Sequence, residues 1–211
     1  KLGIDVRVCR EADSIQIEHL KADAVILAAG ASHVMPEVAA GKPGVMDHIQ
    51  ALRNRIAIGD RVVIWGLVYG AELAISLAEQ GKDVCLVGGR GEGALASHAA
   101  DMRRWWIIRK LVDFSPVRVN PEAVRLSNPR ILYHTKVEAV SAEGVGVTDK
   151  QGKQAVLPYD TLIISRGRKK NDSLFDQLKD KIPEIYKIGD CSAAGNILSA
   201  IRSANEVARR I

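Results

Sequence analysis

The chain has 211 residues, of which 47% are hydrophobic and 26% charged, and its formal net charge at pH 7 is +5. These values are ordinary for a folded domain, so they exclude a disordered or collagen-like chain. No apolar run approaches the roughly 20 residues that span a bilayer, and neither a secretory signal nor a nucleic-acid-binding module is visible. We therefore expect a cytoplasmic protein that binds neither membrane nor nucleic acid, and the oligomeric state stays open.

The cysteines and histidines give no sign of a metal or redox centre. Cys9, Cys85 and Cys191 are far apart in the sequence, and no Cys-x-x-Cys pair exists. The pattern therefore lacks the spacing of a disulfide framework, a zinc ribbon or a dithiol centre. We expect three buried, reduced thiols. The histidines are scattered as well, so we predict no metal ligand and no catalytic acid, base or nucleophile.

Short apolar runs alternate with helical patterns along the chain, which is typical of an α/β fold. Strands are predicted over residues 4–8, 22–28, 60–65, 83–87, 160–165 and 185–188, with several shorter strands between 130 and 157. Helices are predicted near 47–53, over 71–80, from about 97 to 112 and from about 192 onward. Residues 60–87 thus form one strand–helix–strand unit, with the other strands arranged around it.

Three of the predicted strands end in glycine-bearing turns, namely Ala28-Ala29-Gly30, Ser165-Arg166-Gly167 and Ile188-Gly189-Asp190. Ligands of open α/β sheets bind beyond the carboxyl ends of the strands. Glycine at such a place lets a cofactor approach the backbone, although each turn by itself also fits a plain connection. Their order around a complete strand–helix–strand unit favours a nucleotide site.

In this order of motifs the chain resembles the two-dinucleotide-binding-domain flavoproteins. AVILAAGA (24–31) is similar to the family's strand that ends in Ala-Thr-Gly-Ala, and DTLIISRGRKKN (160–171) to its Gly-Arg-x-Pro-Asn-like stretch. IYKIGDCS (185–192) is similar to the Gly-Asp segment that meets the flavin ribityl chain. More narrowly, nearly all of the chain resembles the C-terminal FAD- and NAD(P)-binding region of the multidomain NADH:flavin oxidoreductases, which include 2,4-dienoyl-CoA reductase and trimethylamine dehydrogenase.

The resemblance implies a Rossmann-like α/β fold that is incomplete at the N-terminus. Residues 1–58 with 168–211 would form a partial FAD-binding domain, and residues 59–167 an inserted NAD(P)-binding-like domain. The full-length oxidoreductase would hold FAD, or ADP, and admit NAD(P)H weakly. An N-terminal barrel domain of the same chain, with FMN and a [4Fe–4S] cluster, would reduce an unsaturated small molecule such as an enoyl- or dienoyl-coenzyme A. The present chain would then be a fragment that is inactive alone.

The dinucleotide fingerprint is degenerate in this sequence. A Gly-x-Gly-x-x-Gly turn needs glycine at its second place, because the pyrophosphate touches the backbone there. Aligned on Gly70, the turn has Trp65 and Leu67 at the first two glycine places, whereas a register that begins at Gly66 puts Val68 at the second. In either register we expect the side chain at the second place to occupy the space of the phosphates and to weaken NADH binding.

Other residues near this turn allow two interpretations each. The acidic residue that binds the ribose in an intact fingerprint is expected near position 88, which is Gly88 here. Arg90 is either a 2′-phosphate ligand or a surface residue. Trp105 and Trp106 either stack on a nucleotide ring or pack in the core. By resemblance, the Asp190 carboxylate accepts a ribityl hydroxyl, and its alternative is a helix cap. The predicted cofactor-binding residues are Gly30, Gly66, Leu67, Gly70, Gly88, Arg90, Gly167, Gly189 and Asp190.

Two other functions stay open at this point. The chain could be part of a pyridine-nucleotide disulfide oxidoreductase, although it contains no Cys-x-x-Cys pair. Alternatively, the degenerate fingerprint could mark a non-catalytic structural module with a nucleotide-binding fold. Nucleotide titration separates this last alternative from an oxidoreductase.

Overall fold

The computed structural model describes residues 3–54, 57–112 and 129–211. Its helices are α1 (Ser14–His19), α2 (His48–Arg53), α3 (Gly70–Glu79), α4 (Asp101–Val112), α5 (Ser173–Leu178) and α6 (Ile197–Ala208). Its strands are β1 (Val25–Leu27), β2 (Ala31–His33), β3 (Val45–Asp47), β4 (Arg61–Trp65), β5 (Asp83–Val87), β6 (Arg130–Leu132), β7 (Lys136–Val140), β8 (Val145–Thr148), β9 (Gln154–Leu157), β10 (Thr161–Ile164), β11 (Arg168–Lys170) and β12 (Ile185–Lys187). None of these helices is long and apolar enough to cross a membrane.

The chain divides into two compact units. The central unit is His33–Gly167, and the terminal unit combines Lys1–Ser32 with Arg168–Ile211. The first boundary therefore falls after residue 32, whereas the sequence analysis placed it after residue 58. The reason is strand β3, which pairs in parallel with β10 and so makes its segment an edge of the central sheet.

The central unit is built on a five-stranded parallel sheet with the order β3-β10-β4-β5-β6. Successive side chains of a strand point to opposite faces, and both faces of this sheet are apolar. Val62 and Ile64 of β4 pack with residues of α3 and α4. Val63 and Trp65 pack on the other face with residues of the antiparallel sheet β7-β8-β9. The result is three layers, with the parallel sheet in the middle.

The terminal unit has much less regular structure. Strand β1 pairs in parallel with β12, and β2 pairs with β11 in a second two-stranded sheet. Its buried cluster consists of Ile17, Leu178 and Ile182. On helix α6 only Val207 is buried, while Ile197 and Ile201 are 80% and 60% exposed. The apolar face of α6 is therefore largely uncovered in the described structure.

Several local expectations differ from the structure. Residues 4–8 form no strand but lie exposed, and Cys9 is exposed rather than buried, while Cys85 and Cys191 are buried as expected. Helix α4 begins at 101 rather than 97. Helix α6 begins at 197 rather than 192, because Asn196 caps it in a reciprocal pair with Ser199. The predicted irregular segment before β6 lies mostly outside the described residues.

Candidate nucleotide-binding cleft

The central unit has a cleft at the carboxyl ends of its parallel strands. From β4 the chain crosses through α3 to β5 on one side, and β10 lies on the other side of β4. The strand order therefore reverses between β4 and β10. In open α/β sheets a crevice lies at the carboxyl ends of the strands at such a point. The cleft there measures about 530 Å³ and is bounded by the ends of β4, β5 and β10 and by the segment 94–98.

Two glycines of the β4–α3 turn are required by packing. Gly66 has φ +140°, and a Cβ atom on it would lie 2.0 Å from the carbonyl oxygen of Ser165. A Cβ atom on Gly70 would lie 2.7 Å from Cγ2 of Ile64, so α3 packs directly on β4. Gly70 therefore serves the close helix–strand contact of the third fingerprint glycine, which supports the register aligned on it.

Leu67 does not fill the space predicted for it. Its side chain is 4% exposed and belongs to the core between the sheet and α3. A Cβ atom on Gly88 would lie 2.7 Å from Cγ of Leu67, so the leucine lies over this glycine. The carbonyl of Leu67 accepts a hydrogen bond from the N–H of Ala96 at 3.1 Å. The Leu67 side chain therefore packs into the core instead of blocking the phosphates as expected, and the half-buried Val68 and Tyr69 of this turn line the cleft beside it.

The cleft carries positive charge without a compensating carboxylate in its walls. Arg90 follows β5 and Arg166 follows β10, and both are exposed residues that line the cleft. The guanidinium carbon of Arg166 lies 4.7 Å from the centroid of the Trp65 ring. None of the described residues that line the cleft is Asp or Glu. Its walls therefore suit an anionic ligand, and Arg166 was missed by the sequence analysis although it directly precedes Gly167.

Histidines and one glutamate surround the start of α3. Nδ1 of His48 lies 3.1 Å from Oγ of the buried Ser165. Burial lowers the pKa of His48, and the neighbouring His33 lowers it further, which favours the neutral imidazole. Nε2 of His98, which lines the cleft, lies 3.5 Å from Oε2 of Glu72 in the first turn of α3. A carboxylate at this end of a helix is stabilised by the helix dipole.

The terminal unit gathers a second group of predicted residues. Gly30 and Gly189 follow β1 and β12, which are paired strands, so the two turns lie at the same edge. Asp190 accepts the N–H of Gly195 through Oδ1 at 2.8 Å and a hydrogen bond from Arg168 through Oδ2. Arg168 also donates to the carbonyl of Gly195 at 2.6 Å. The Asp190 carboxylate is thus fixed by a local network, which the sequence patterns did not reveal.

Asn171 holds the turn after β1. Its backbone N–H donates to the carbonyl of Gly30 at 3.1 Å, and its side-chain amide donates to that of Ala29 at 3.0 Å. The thiol of Cys191 donates to the carbonyl of Asn171 at 3.0 Å. Asn171 is the last residue of the segment 160–171, which resembles the family's Gly-Arg-x-Pro-Asn-like stretch. That match could have identified Asn171 as a residue of this turn.

Trp105 and Trp106 neither pack in the core nor line the cleft. They are 55% and 46% exposed. The guanidinium carbon of Arg109 lies 5.0 Å from the centroid of the Trp105 ring, and Nζ of Lys110 lies 4.8 Å from that of the Trp106 ring. The buried face of α4 holds Ile107 instead. The tryptophans therefore belong neither to the core nor to the lining of this cleft. In the described part of the chain, no group of three His, Cys, Asp or Glu residues could hold a metal ion.

Comparison with known proteins gives sequence relatives and structural neighbours. No family model matches the chain. Bilirubin reductase of Mediterraneibacter gnavus is 33% identical over 199 residues, which cover 91% of this chain and 28% of that protein. Cinnamate reductase of Clostridium sporogenes is 28% identical over 216 residues, which cover 100% of this chain and 30% of that protein. The chain thus spans less than a third of the length of these relatives.

A solved complex of 2-naphthoyl-CoA reductase with 2-naphthoyl-CoA matches the fold with a TM-score of 0.81 at 21% identity, over 100% of this chain and 30% of that one. This likeness confirms the predicted Rossmann-like α/β class. The sequence relatives are oxidoreductases, and they confirm the family resemblance seen in the motifs. The chain corresponds to the C-terminal region of NADH:flavin oxidoreductase-type enzymes.

Proposed function

We propose that this chain is the nucleotide-binding region of a flavin- and NAD(P)H-dependent oxidoreductase. In this proposal the central unit, as the NAD(P)-binding-like domain, takes a pyridine or adenine nucleotide. The terminal unit is part of an FAD-binding domain. The observation that carries the proposal is the arginine-lined cleft beyond β4 and β10, because open α/β sheets bind their ligands at this place.

The cleft fits a phosphate-bearing ligand. Its volume of about 530 Å³ falls within the range of about 300–1,000 Å³ that is usual for small-molecule sites. Arg90 lies just beyond β5, where an intact site places the carboxylate for the ribose. A guanidinium at that place can bind a 2′-phosphate, whereas NADH finds no ribose partner at Gly88. We therefore expect NADPH to bind more tightly than NADH.

The terminal unit fits a role in holding flavin. A Cβ atom on Gly30 would meet nothing within 4 Å, so the backbone after β1 is open to a ligand. Each oxygen of a carboxylate can accept two hydrogen bonds. Oδ1 of Asp190 accepts one from the N–H of Gly195, and Oδ2 accepts one from Arg168. Asp190 can therefore accept a ribityl hydroxyl as well. A bound flavin supplies the transfer of electrons between nucleotide and substrate.

The activity of the whole enzyme is part of the same proposal. We infer an N-terminal barrel domain of the same chain, with FMN and a [4Fe–4S] cluster, that reduces an unsaturated small molecule. The names of the relatives support this class of substrate, since they are reductases of bilirubin and of cinnamate. The structural neighbour holds 2-naphthoyl-CoA, so a coenzyme A thioester is one member of the class. A cytoplasmic location also remains a prediction.

The proposal is tested by calorimetric titration of the 211-residue chain with NADPH, NADH and ADP. We expect NADPH to bind at least about tenfold more tightly than NADH, because a charged hydrogen-bonded contact contributes about 1.5–3 kcal/mol. Arg90→Gln should remove this preference. Arg109→Gln is the matched control, because its guanidinium lies over Trp105 outside the cleft.

Two results would count against parts of this proposal, the first against the role of Arg90 and the second against the nucleotide site itself. Equal, micromolar binding of NADH and NADPH would refute the role given to Arg90. Failure of all three nucleotides to bind would favour the structural module that the degenerate fingerprint also allowed. For the disulfide oxidoreductase alternative, this chain itself supplies no Cys-x-x-Cys pair, and its three cysteines are not in disulfides.

A further inference from the structure

We propose that Arg166, stacked on the ring of Trp65, binds the diphosphate of the nucleotide. In an intact fingerprint this contact belongs to the backbone at the second glycine place. The inference rests on the proposed function and adds to it a ligand group and a residue. It also gives a purpose to Trp65, which replaces the first glycine of the fingerprint.

The position of Arg166 is fixed by backbone contacts between two strand ends. Ile164 is paired with Trp65, and the N–H of Ser165 donates to the carbonyl of Trp65 at 2.9 Å. The carbonyl of Ser165 packs against Gly66 so closely that a Cβ atom there would lie 2.0 Å away. The strand ends therefore cannot separate without breaking these contacts, and Arg166 emerges directly over the tryptophan ring.

The contact with Trp65 leaves N–H groups of Arg166 available. The guanidinium carbon lies over the Trp65 ring, 4.7 Å from its centroid. A guanidinium has five N–H donors, so an arginine in such a cation–π contact can still bind a phosphate bidentately. Within the described residues, no carboxylate forms an ion pair with Arg166 or with Arg90. An incoming anion therefore does not compete with a protein carboxylate for either arginine.

Arg166 and Arg90 are placed to bind different groups of the same nucleotide. Arg166 stands at the turn that leads into α3, whose N-cap residue Tyr69 provides no side-chain capping bond. In folds of this type the diphosphate lies at this helix start, and the adenosine ribose lies beyond the next strand, where Arg90 is found. Val68 limits the approach of phosphates to the backbone of the turn. A side-chain donor that reaches across from β10 compensates for that obstruction.

The test is a titration of wild-type chain, Arg166→Gln and Arg90→Gln with ADP, inorganic pyrophosphate and 2′-AMP. ADP and pyrophosphate carry the diphosphate alone, and 2′-AMP carries only the 2′-phosphate. We expect Arg166→Gln to weaken ADP and pyrophosphate about tenfold or more and to leave 2′-AMP within about twofold. Arg90→Gln should show the reverse pattern. Arg166 is exposed, so its variant should fold, and circular dichroism checks this.

Each outcome decides between the inference and the function on which it rests. If the wild type binds ADP and Arg166→Gln binds it equally well, the inference is overturned while the nucleotide site stands. If only pyrophosphate binds, and does so through Arg166, the diphosphate site stands and the dinucleotide function fails. Absence of binding by every probe overturns both. Trp65→Leu provides a second variant, for which we expect a smaller loss of ADP affinity than for Arg166→Gln.

Discussion

The central and terminal units differ in how far each completes its own core. The central sheet buries apolar side chains on both faces, under α3 and α4 on one side and a second sheet on the other. The terminal unit has two strand pairs, a buried cluster of three residues and an α6 helix whose apolar side chains are mainly exposed. Parallel strands normally have both faces covered. The central unit therefore contains the larger buried core and the cleft, whereas the terminal unit leaves apolar surface unburied.

The largest expected effect comes from removing a core side chain of the central unit. Leu86 is a fully buried residue of β5. We expect Leu86→Ala to lower the free energy of unfolding by about 2–5 kcal/mol, because it leaves a cavity in a packed core. Chemical denaturation followed by circular dichroism measures this.

Ile201→Ala in the terminal unit is the matched control for Leu86→Ala. Ile201 is 60% exposed on α6, so its truncation should change the free energy of unfolding by no more than about 0.5 kcal/mol. A loss as large as that of Leu86→Ala would mean that Ile201 is buried in solution, and the contrast between the units would fail.

The next prediction concerns the difference in stability loss between one glycine of each unit. Gly66 and Gly30 both have positive φ, but only Gly66 has backbone where a Cβ would lie. We expect Gly30→Ala to cost about 1–2 kcal/mol in left-handed backbone strain. Gly66→Ala should cost about 1–3 kcal/mol more, because the strand ends must also move apart. Thermal unfolding of both variants provides the measurement, and equal losses would contradict the close packing of Gly66 against Ser165.

The smallest effect concerns pH. Hydrogen bonds from Arg61 lower the pKa of Asp160 from its ordinary value of 3.8 to about 2, and Lys170 lowers the pKa of Asp172 in the terminal unit. Because these pKa values are lower in the folded chain than in the unfolded chain, the unfolded chain binds the proton at a higher pH than the folded chain does. Each carboxylate therefore stabilises the fold above about pH 4 and loses this contribution as the pH falls toward 2.

Asp160→Asn should accordingly be less stable than the wild type at pH 6, and the difference should shrink between pH 4 and 2. Asp172→Asn should show the same sign with a smaller amplitude. Urea denaturation at pH 6, 4, 3 and 2 measures both variants. A difference for Asp160→Asn that stays constant over this range would show that its ion pair with Arg61 does not form in solution.

The sequence by itself determined the elements that carry their own signal. Strands β4, β5 and β10 are continuous apolar runs between turn residues, so their type follows from composition, and α3 follows from its helical spacing up to Gly81. The glycine-bearing strand ends marked the places where ligands approach such a sheet. Those features are local, which is why they identified the α/β class and the family before any contact was known.

Only the tertiary structure decided the features that depend on a partner. Strand β3 exists because it pairs with β10, while residues 4–8, whose apolar and charged residues alternate as in a strand, lie exposed without strand structure. The direction of Leu67 was set by the space above Gly88, and the contact of Arg166 with Trp65 by the pairing of β10 with β4. The physical reason is that an edge strand and a side-chain direction are stabilised by residues that are distant along the chain, which periodicity does not encode.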